Sequence, residues 1–192
     1  MGAYQWNDFW RTVSLLRFDL GEIPPEAHVL DASVTLHTVE ECSSSVVNPE
    51  NCGTFAGTYT VDFTHLTRDF GELEATWLQA AVGNAWALAA ATQVPLDHAG
   101  MFVGSIGGLN GVTAPGAHTV DVTDSVAAFV AGDLPNLGWR LAVREAIPHY
   151  QSRFIAFASS DNPACDERPR LEVRWSPCAL ECGDGLLSLI HI

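Results

Sequence analysis

Val13-Ser14-Leu15-Leu16-Arg17-Phe18-Asp19-Leu20, followed by Gly21-Glu22-Ile23-Pro24-Pro25, is the stretch whose reading decides the fold. Leu16, Phe18 and Leu20 fall on one side of an extended chain, and Arg17 and Asp19 on the other. That is the period-two alternation of a half-buried strand. Gly21 and the proline pair end it, because proline offers no ladder donor and fixes φ. A second strand follows almost at once, with Ala32, Val34 and Leu36 alternating against Ser33, Thr35 and His37. Two amphipathic strands this close in sequence bury their apolar faces against a second sheet.

Further strands supply that cover. Tyr59, Val61 and Phe63 alternate with Thr60, Asp62 and Thr64. Val120 and Val122 form a short strand, after which Thr123 or Asp124 caps a short helix with Val126, Phe129 and Val130 on one face. Trp139, Leu141 and Val143 alternate with Arg140 and Arg144, and the apolar run 154–158 predicts a central strand. Leu171, Val173 and Trp175 form a last strand with Arg170, Glu172 and Arg174 outward. Between these, residues 69–92 read as a long, partly helical loop anchored by Trp77 and Trp86. Residues 93–117 read as irregular, turn-rich chain with one short apolar piece, Met101 to Ile106. Short strands, one short helix and no βαβ rhythm give an all-β antiparallel sandwich, a jelly roll with long loops.

At 192 residues the chain suits one domain with a real core. Its formal net charge is −14, from 23 acidic and 9 basic residues. Phosphate contacts need Lys and Arg, so nucleic acid is excluded as a partner, and polyanions and anionic membranes are repelled. No apolar run is long enough to span a bilayer, so no membrane insertion is expected.

Tyr4, Trp6, Phe9 and Trp10 crowd a short polar segment. They read either as a tucked arm that packs its rings or as a stacking platform for sugar rings. Trp86 and Tyr150 also stand in polar or small-residue surroundings, so the candidate ligand-binding residues are Tyr4, Trp6, Trp10, Trp86 and Tyr150. Cys42 and Cys52 bracket a loop of Ser, Asn, Pro and Gly, a spacing that suits a disulfide at a hairpin neck and hence an oxidising compartment. Asp161, Asp166 and Glu167 share one loop and are candidates for a structural calcium, against the plainer reading of a solvated acidic loop. Arg17 and Arg168, each near acids, read as ion pairs that fix strand register, or as grips for a ligand carboxylate. Catalytic motifs are absent from the sequence: there is no Gly-x-Ser-x-Gly, phosphate loop or His-Glu-x-x-His.

Leu15-Leu16-Arg17-Phe18-Asp19-Leu20 with Ile23-Pro24 resembles the opening signature of the DNRLRE domain family. The resemblance runs on through Glu74-Ala75-Thr76-Trp77, Val120-Asp121-Val122-Thr123-Asp124, Asn136-x-Gly138-Trp139, Phe157-Ala158-Ser159-Ser160 and Arg168-Pro169-Arg170-Leu171-Glu172-Val173. It covers residues 11–176. It implies a jelly-roll module carried by large secreted or surface proteins, often polysaccharide-active ones. One related group is similar to alginate-binding modules, which the acidity of this chain disfavours.

Residues 1–176 are therefore read as the DNRLRE-like domain, with N-terminal strands of the family pattern missing. Glu181-Cys182-Gly183-Asp184-Gly185 resembles the start of the Cys-rich repeats of myxobacterial-type surface proteins, which assigns 177–186 to a linker or repeat start. The apolar tail 187–192 reads as adaptor-derived, so the chain is expected to be a piece of a longer one. Five cysteines, an odd number, then leave Cys178 and Cys182 with partners elsewhere and the partner of Cys165 open. The expected function is a non-catalytic, monomeric carbohydrate-binding module at the cell surface or outside the cell, taking a neutral rather than an anionic polysaccharide and needing no cofactor beyond a structural calcium. The alternative is a structural spacer or adhesion domain; a hydrolase or lyase comes third.

Overall fold

The computed structural model describes residues 13–39, 59–109, 115–144 and 156–177, together with the backbone of 188–191. Its strands are β1 (Ser14–Leu16), β2 (His28–Thr38), β3 (Tyr59–Leu66), β4 (Gln79–Ala81), β5 (Asn84–Ala85), β6 (His98–Leu109), β7 (Gly116–Asp121), β8 (Trp139–Val143), β9 (Arg170–Ser176) and β10 (Ser188–His191). The helix α1 spans Thr123–Val130. One sheet runs β1-β8-β3-β6 and the other β10-β9-β2-β7, with β4-β5 as a separate hairpin. The pairs β1–β8, β2–β7 and β3–β6 are nested and antiparallel. They amount to one long hairpin wrapped over two sheets, which is jelly-roll winding. The fold is thus the all-β antiparallel sandwich that the alternation predicts.

The core forms where the alternation places it. Val34, Leu36, Phe63, Leu171 and Val173 are almost fully buried between the sheets, with Trp139, Val61 and Ile106 beside them. Leu16, Phe18 and Val143 pack against this cluster from its margin. The helix covers one end of the sandwich through Val126, Phe129 and Val130. Neither expected cap holds it, because the N-cap is Val122 without a side-chain bond. Thr123 Oγ1 instead donates to Asp121 Oδ1 at 2.6 Å and accepts from Ala32 N at 2.9 Å, tying α1 to β2.

Four local expectations change. The strand at 13–20 is only Ser14–Leu16, because side chains take over the backbone partners beyond it. Gly21 N donates to Asp19 Oδ1, and Asn136 Nδ2 donates to the Phe18 carbonyl. Residues 98–109 are not irregular but form β6, twelve residues long. Its ladder to β3 shifts register three times, and such bulges absorb glycines that a regular strand would not tolerate. Gly104 is required there, since any Cβ would strike Val120 Cγ1 across the sandwich. The apolar run 154–158 gives, among its described residues, only an isolated bridge from Phe157 to Thr38. Finally, β9 is not the last strand: the backbone of β10 borders it, so the segment read as an adaptor-derived tail lies at the edge of that sheet.

Residues 67–97 leave the sheet between β3 and β6 and return to the same place. Thr67 N donates to the Asp97 carbonyl at 3.0 Å, and Thr67 Oγ1 to Pro95 O at 2.7 Å, closing the neck. Phe70, Ala80, Trp86 and Ala91 of this excursion make a second, smaller core with Leu66 of β3. Asp97, 0% exposed, organises its return. Its carboxylate accepts from Ala87 N at 2.8 Å, Leu88 N at 3.0 Å and Gln93 N at 3.2 Å, while Arg68 Nε lies 3.3 Å away. Among the described residues no helix is long and apolar enough to cross a membrane.

Candidate functional site

Described residues of the sandwich line two lateral openings. The first lies along β1, the edge of its sheet. It is a groove of about 600 Å³ walled by β1 and Arg17 on one side and by Phe157–Asp161 and Pro169 on the other. Glu72, Leu73, Thr76 and Trp86 from the excursion line one end. The floor is apolar, with Leu16, Leu36 and Leu141, while the rim carries the hydroxyls of Thr76, Ser159 and Ser160 and the carboxylates of Glu72 and Asp161. An apolar floor with polar groups at the rim is the usual construction of a small-ligand site.

The sequence explains each wall. Arg17 leaves the strand and spans to the excursion, where its guanidinium donates to Asp69 Oδ1 at 2.5 Å and lies 4.9 Å from the centre of the Phe70 ring. Its partner is thus Asp69 rather than the neighbouring Asp19, and the ion pair fixes the excursion against β1. Arg168 makes its hydrogen bond to the Asn162 carbonyl, at 2.8 Å. Ser159 and Ser160 lie exposed just after Ala158, whose N donates to the His37 carbonyl and pins the wall to β2.

Three of the residues singled out from sequence, Arg17, Trp86 and Asp161, meet at this groove. Trp86 does not present an open ring face. It is 6% exposed, its Nε1 donates to Thr76 O at 3.0 Å, and its ring belongs to the second core. Burial of a large apolar ring outweighs exposure here because the ring packs with Leu66, Phe70, Ala80 and Ala91 in that core. Tyr4, Trp6, Trp10, Tyr150, Cys42 and Cys52 lie outside the described residues. Asp161, Asp166 and Glu167 do share a loop, but Glu167 Oε2 is already taken by Asn162 Nδ2 at 3.1 Å. Among the described residues no three His, Cys, Asp or Glu side chains converge to hold a metal ion. Cys165 is an exposed free thiol. Of the rim residues, Thr76, Ser159 and Ser160 stand within the family-like stretches, whereas Glu72 carries no sequence signal of its own.

The second opening, of about 580 Å³, lies where the edge strands β6 and β7 meet under α1. A bonding chain closes its inner end: Trp139 Nε1 donates to Ser125 Oγ at 2.9 Å, and Ser125 Oγ lies 2.5 Å from His65 Nε2. Indole is only a donor, so Oγ accepts from it and its own proton is free to point to His65. Burial lowers the His65 pKa and keeps the ring neutral, able to accept that proton. With Ser125 only 2% exposed, this chain seats α1 on the sheet rather than presenting a nucleophile. At the mouth, the hydroxyl and N–H of Thr123 hold the Asp121 carboxyl below its ordinary pKa. No family model matches the chain, and no curated protein matches it significantly.

Proposed function

We propose that the chain is a non-catalytic carbohydrate-binding module of a larger secreted or surface protein, and that it holds a neutral polysaccharide in the groove along β1. The observation that carries this reading is the groove's construction, an apolar floor beneath hydroxyls and carboxylates with its cation, Arg17, already paired to Asp69. Sugar rings offer C–H faces to an apolar floor and hydroxyls to such a rim. With Glu72 and Asp161 unopposed by a free cation in the lining, a uronate would meet like charge. The resemblance to DNRLRE modules supports the same reading. Affinity is expected between about micromolar and millimolar, with avidity from repeated modules doing the rest.

One observation favours the alternative, a structural spacer: the buried ring of Trp86 removes the stacking face expected of it. Affinity gel electrophoresis over neutral and acidic polysaccharides separates the two. Retardation on a neutral polymer, weakened about tenfold or more by replacing Ser159, Ser160 and Asp161 with Ala, supports the module. These three side chains are exposed, so the variant keeps its fold. No retardation on any polymer leaves the spacer.

A further inference from the structure

Four aromatic rings line the groove along β1, and each is taken up by packing. Phe70 and Trp86 are buried in the smaller core, and the Arg17 guanidinium lies over the Phe70 ring. Phe18 and Phe157 pack against the main core, and the Phe18 ring meets Trp139 edge-on, with 6.4 Å between centroids. What the groove offers at its floor is leucine. Leu16 and Leu141 come from β1 and β8 of one sheet, and Leu36 from β2 of the other, so the floor runs into the space between the sheets. Leu36 and Leu141 are only 2% and 4% exposed. They are reached through a narrow slot and not across an open platform. Packed sheets stand about 10 Å apart with side chains filling most of the gap. An interior packed in this way has room for a methyl group but not for a pyranose ring.

We propose that the groove selects a neutral sugar that carries a methyl group, as a 6-deoxyhexose or an O-acetylated hexose does, and seats that methyl on the leucine floor while the ring hydroxyls meet the rim. This rests on the reading of the groove as a sugar site and names the class of sugar. Leu73 adds a second observation. At 86% it is the most exposed large apolar side chain among the described residues, and it stands at the end of the groove beside Glu72. Its turn holds it there: Glu74 N and Ala75 N both donate to the Gly71 carbonyl, at 3.1 and 2.8 Å, and Glu74 Oε2 accepts from Val82 N at 3.0 Å. So exposed, Leu73 contributes little to the packing of the domain itself. It supplies apolar surface at the mouth for the same substituent that the floor receives.

The rim decides between this guest and other apolar ones. A plain aliphatic chain would cover Glu72, Asp161, Ser159 and Ser160 and offer them no donor, which costs their desolvation without return. A sugar hydroxyl donates to either carboxylate and pairs with either serine. An anionic sugar would bring like charge to Glu72 and Asp161, and Arg17 is already held by Asp69. An unsubstituted neutral sugar satisfies the rim but leaves the leucine floor unfilled. The methyl-bearing neutral sugar matches both layers of the groove.

Affinity gels of the full chain test this with an O-acetylated glucomannan, the same polymer after mild alkali, and a neutral polymer of 6-deoxyhexose. Alkali cleaves the acetyl esters and leaves the backbone, so the first two differ only in the methyl-bearing group. Burying one methyl is worth about fourfold in affinity, so a methyl-bearing polymer should bind at least about fourfold tighter than the alkali-treated one. A lead for the acetylated polymer alone places an ester methyl on the floor; a lead for the 6-deoxyhexose polymer alone places a C6 methyl there. Leu73→Ser, at a side chain so exposed that the fold is kept, and Leu16→Ala, which shortens the floor, should each reduce that lead to about twofold or less. Circular dichroism checks that both variants are folded. Equal binding to the treated and untreated polymers without a lead for the 6-deoxyhexose polymer keeps the module and overturns this inference. A lead that both variants leave unchanged overturns it as well, because the methyl is then read elsewhere. No retardation on these or on any plain neutral polymer returns the spacer reading and overturns both.

Discussion

Replacing Asp97 with Ala should be among the most damaging single changes to this domain. The carboxylate is 0% exposed and accepts from three backbone amides, at 2.8, 3.0 and 3.2 Å, with Arg68 Nε 3.3 Å away. Truncation orphans all three donors and leaves Arg68 without its buried partner. An orphaned buried donor costs about 1–3 kcal/mol, but Ala87 and Leu88 are themselves exposed, so water can replace part of what is lost there. Taking the low end for each donor and about 1 kcal/mol for the lost charge pair gives about 4 kcal/mol. Asp97→Asn keeps one acceptor oxygen, enough for the Leu88 and Gln93 amides, and turns an NH₂ toward Ala87 N. It should cost about 2 kcal/mol. Urea unfolding measures both: the midpoints should fall in the order wild type, Asn, Ala with the slope unchanged. For a chain of this length about 4 kcal/mol lowers the melting temperature by about 8–16 °C. Hydrogen exchange at Ala87, Leu88 and Gln93 should speed up in the Ala variant before exchange elsewhere does. A loss below about 1 kcal/mol for Asp97→Ala would refute the claim that this carboxylate holds the excursion.

Gly138 has φ +82°, and a Cβ there would strike the Leu16 carbonyl and crowd Arg17. Gly138→Ala should therefore prise β1 from β8, lower stability by about 3 kcal/mol or more, and disturb the groove wall, with thermal melts as the check. Burial lowers the pKa of His65, and burial followed by the charge of Arg140 lowers that of His98, so the unfolded chain binds protons that the folded one refuses. That part of the stability is full above pH 6.5 and is lost as pH falls from 6.5 toward the lower folded values. The urea midpoint should drop between pH 7.5 and 5.5, and less steeply in His65→Gln; equal slopes would exclude His65 as a source.

Much of the sandwich was legible because alternation is a local signal. Val34, Leu36, Phe63, Leu171 and Val173 each announce their face by parity alone, and all are buried. β6 was illegible because four of its residues are glycine, which sequence reads as a breaker. The reason for Gly104 is Val120, a contact across the sandwich that no local pattern contains. The helix cap was missed for a similar cause: Thr123 spends its hydroxyl on Asp121 and β2 rather than on α1. The groove was half legible. Asp161 and the Arg17 ion pair could be singled out from sequence, but not the partner Asp69, which is 52 positions away. Trp86 read as an open ring because small residues around it look polar or flexible in sequence, whereas in space Leu66, Phe70 and Ala80 enclose it.

The nested pairing has a kinetic consequence. β3 and β6 meet at Leu66 and His98, 32 positions apart (98 − 66), whereas β2 and β7 meet at Thr38 and Gly116, 78 apart (116 − 38). β1 and β8 meet at Leu16 and Trp139, 123 apart (139 − 16). Closing the outermost pair first would cost the most chain entropy, while each inner ladder, once made, shortens the loop left for the next. Assembly of these three nested pairs by this logic runs from the middle of the chain outward, like a zip closed from its fold, with β1 the last of the six strands to arrive and the first to leave. The groove along β1 would then be among the last parts of the domain to exist during folding and among the first to go under stress. Pulse-labelled exchange that found the β1 amides protected before those of β3 would show that the chain closes some other way.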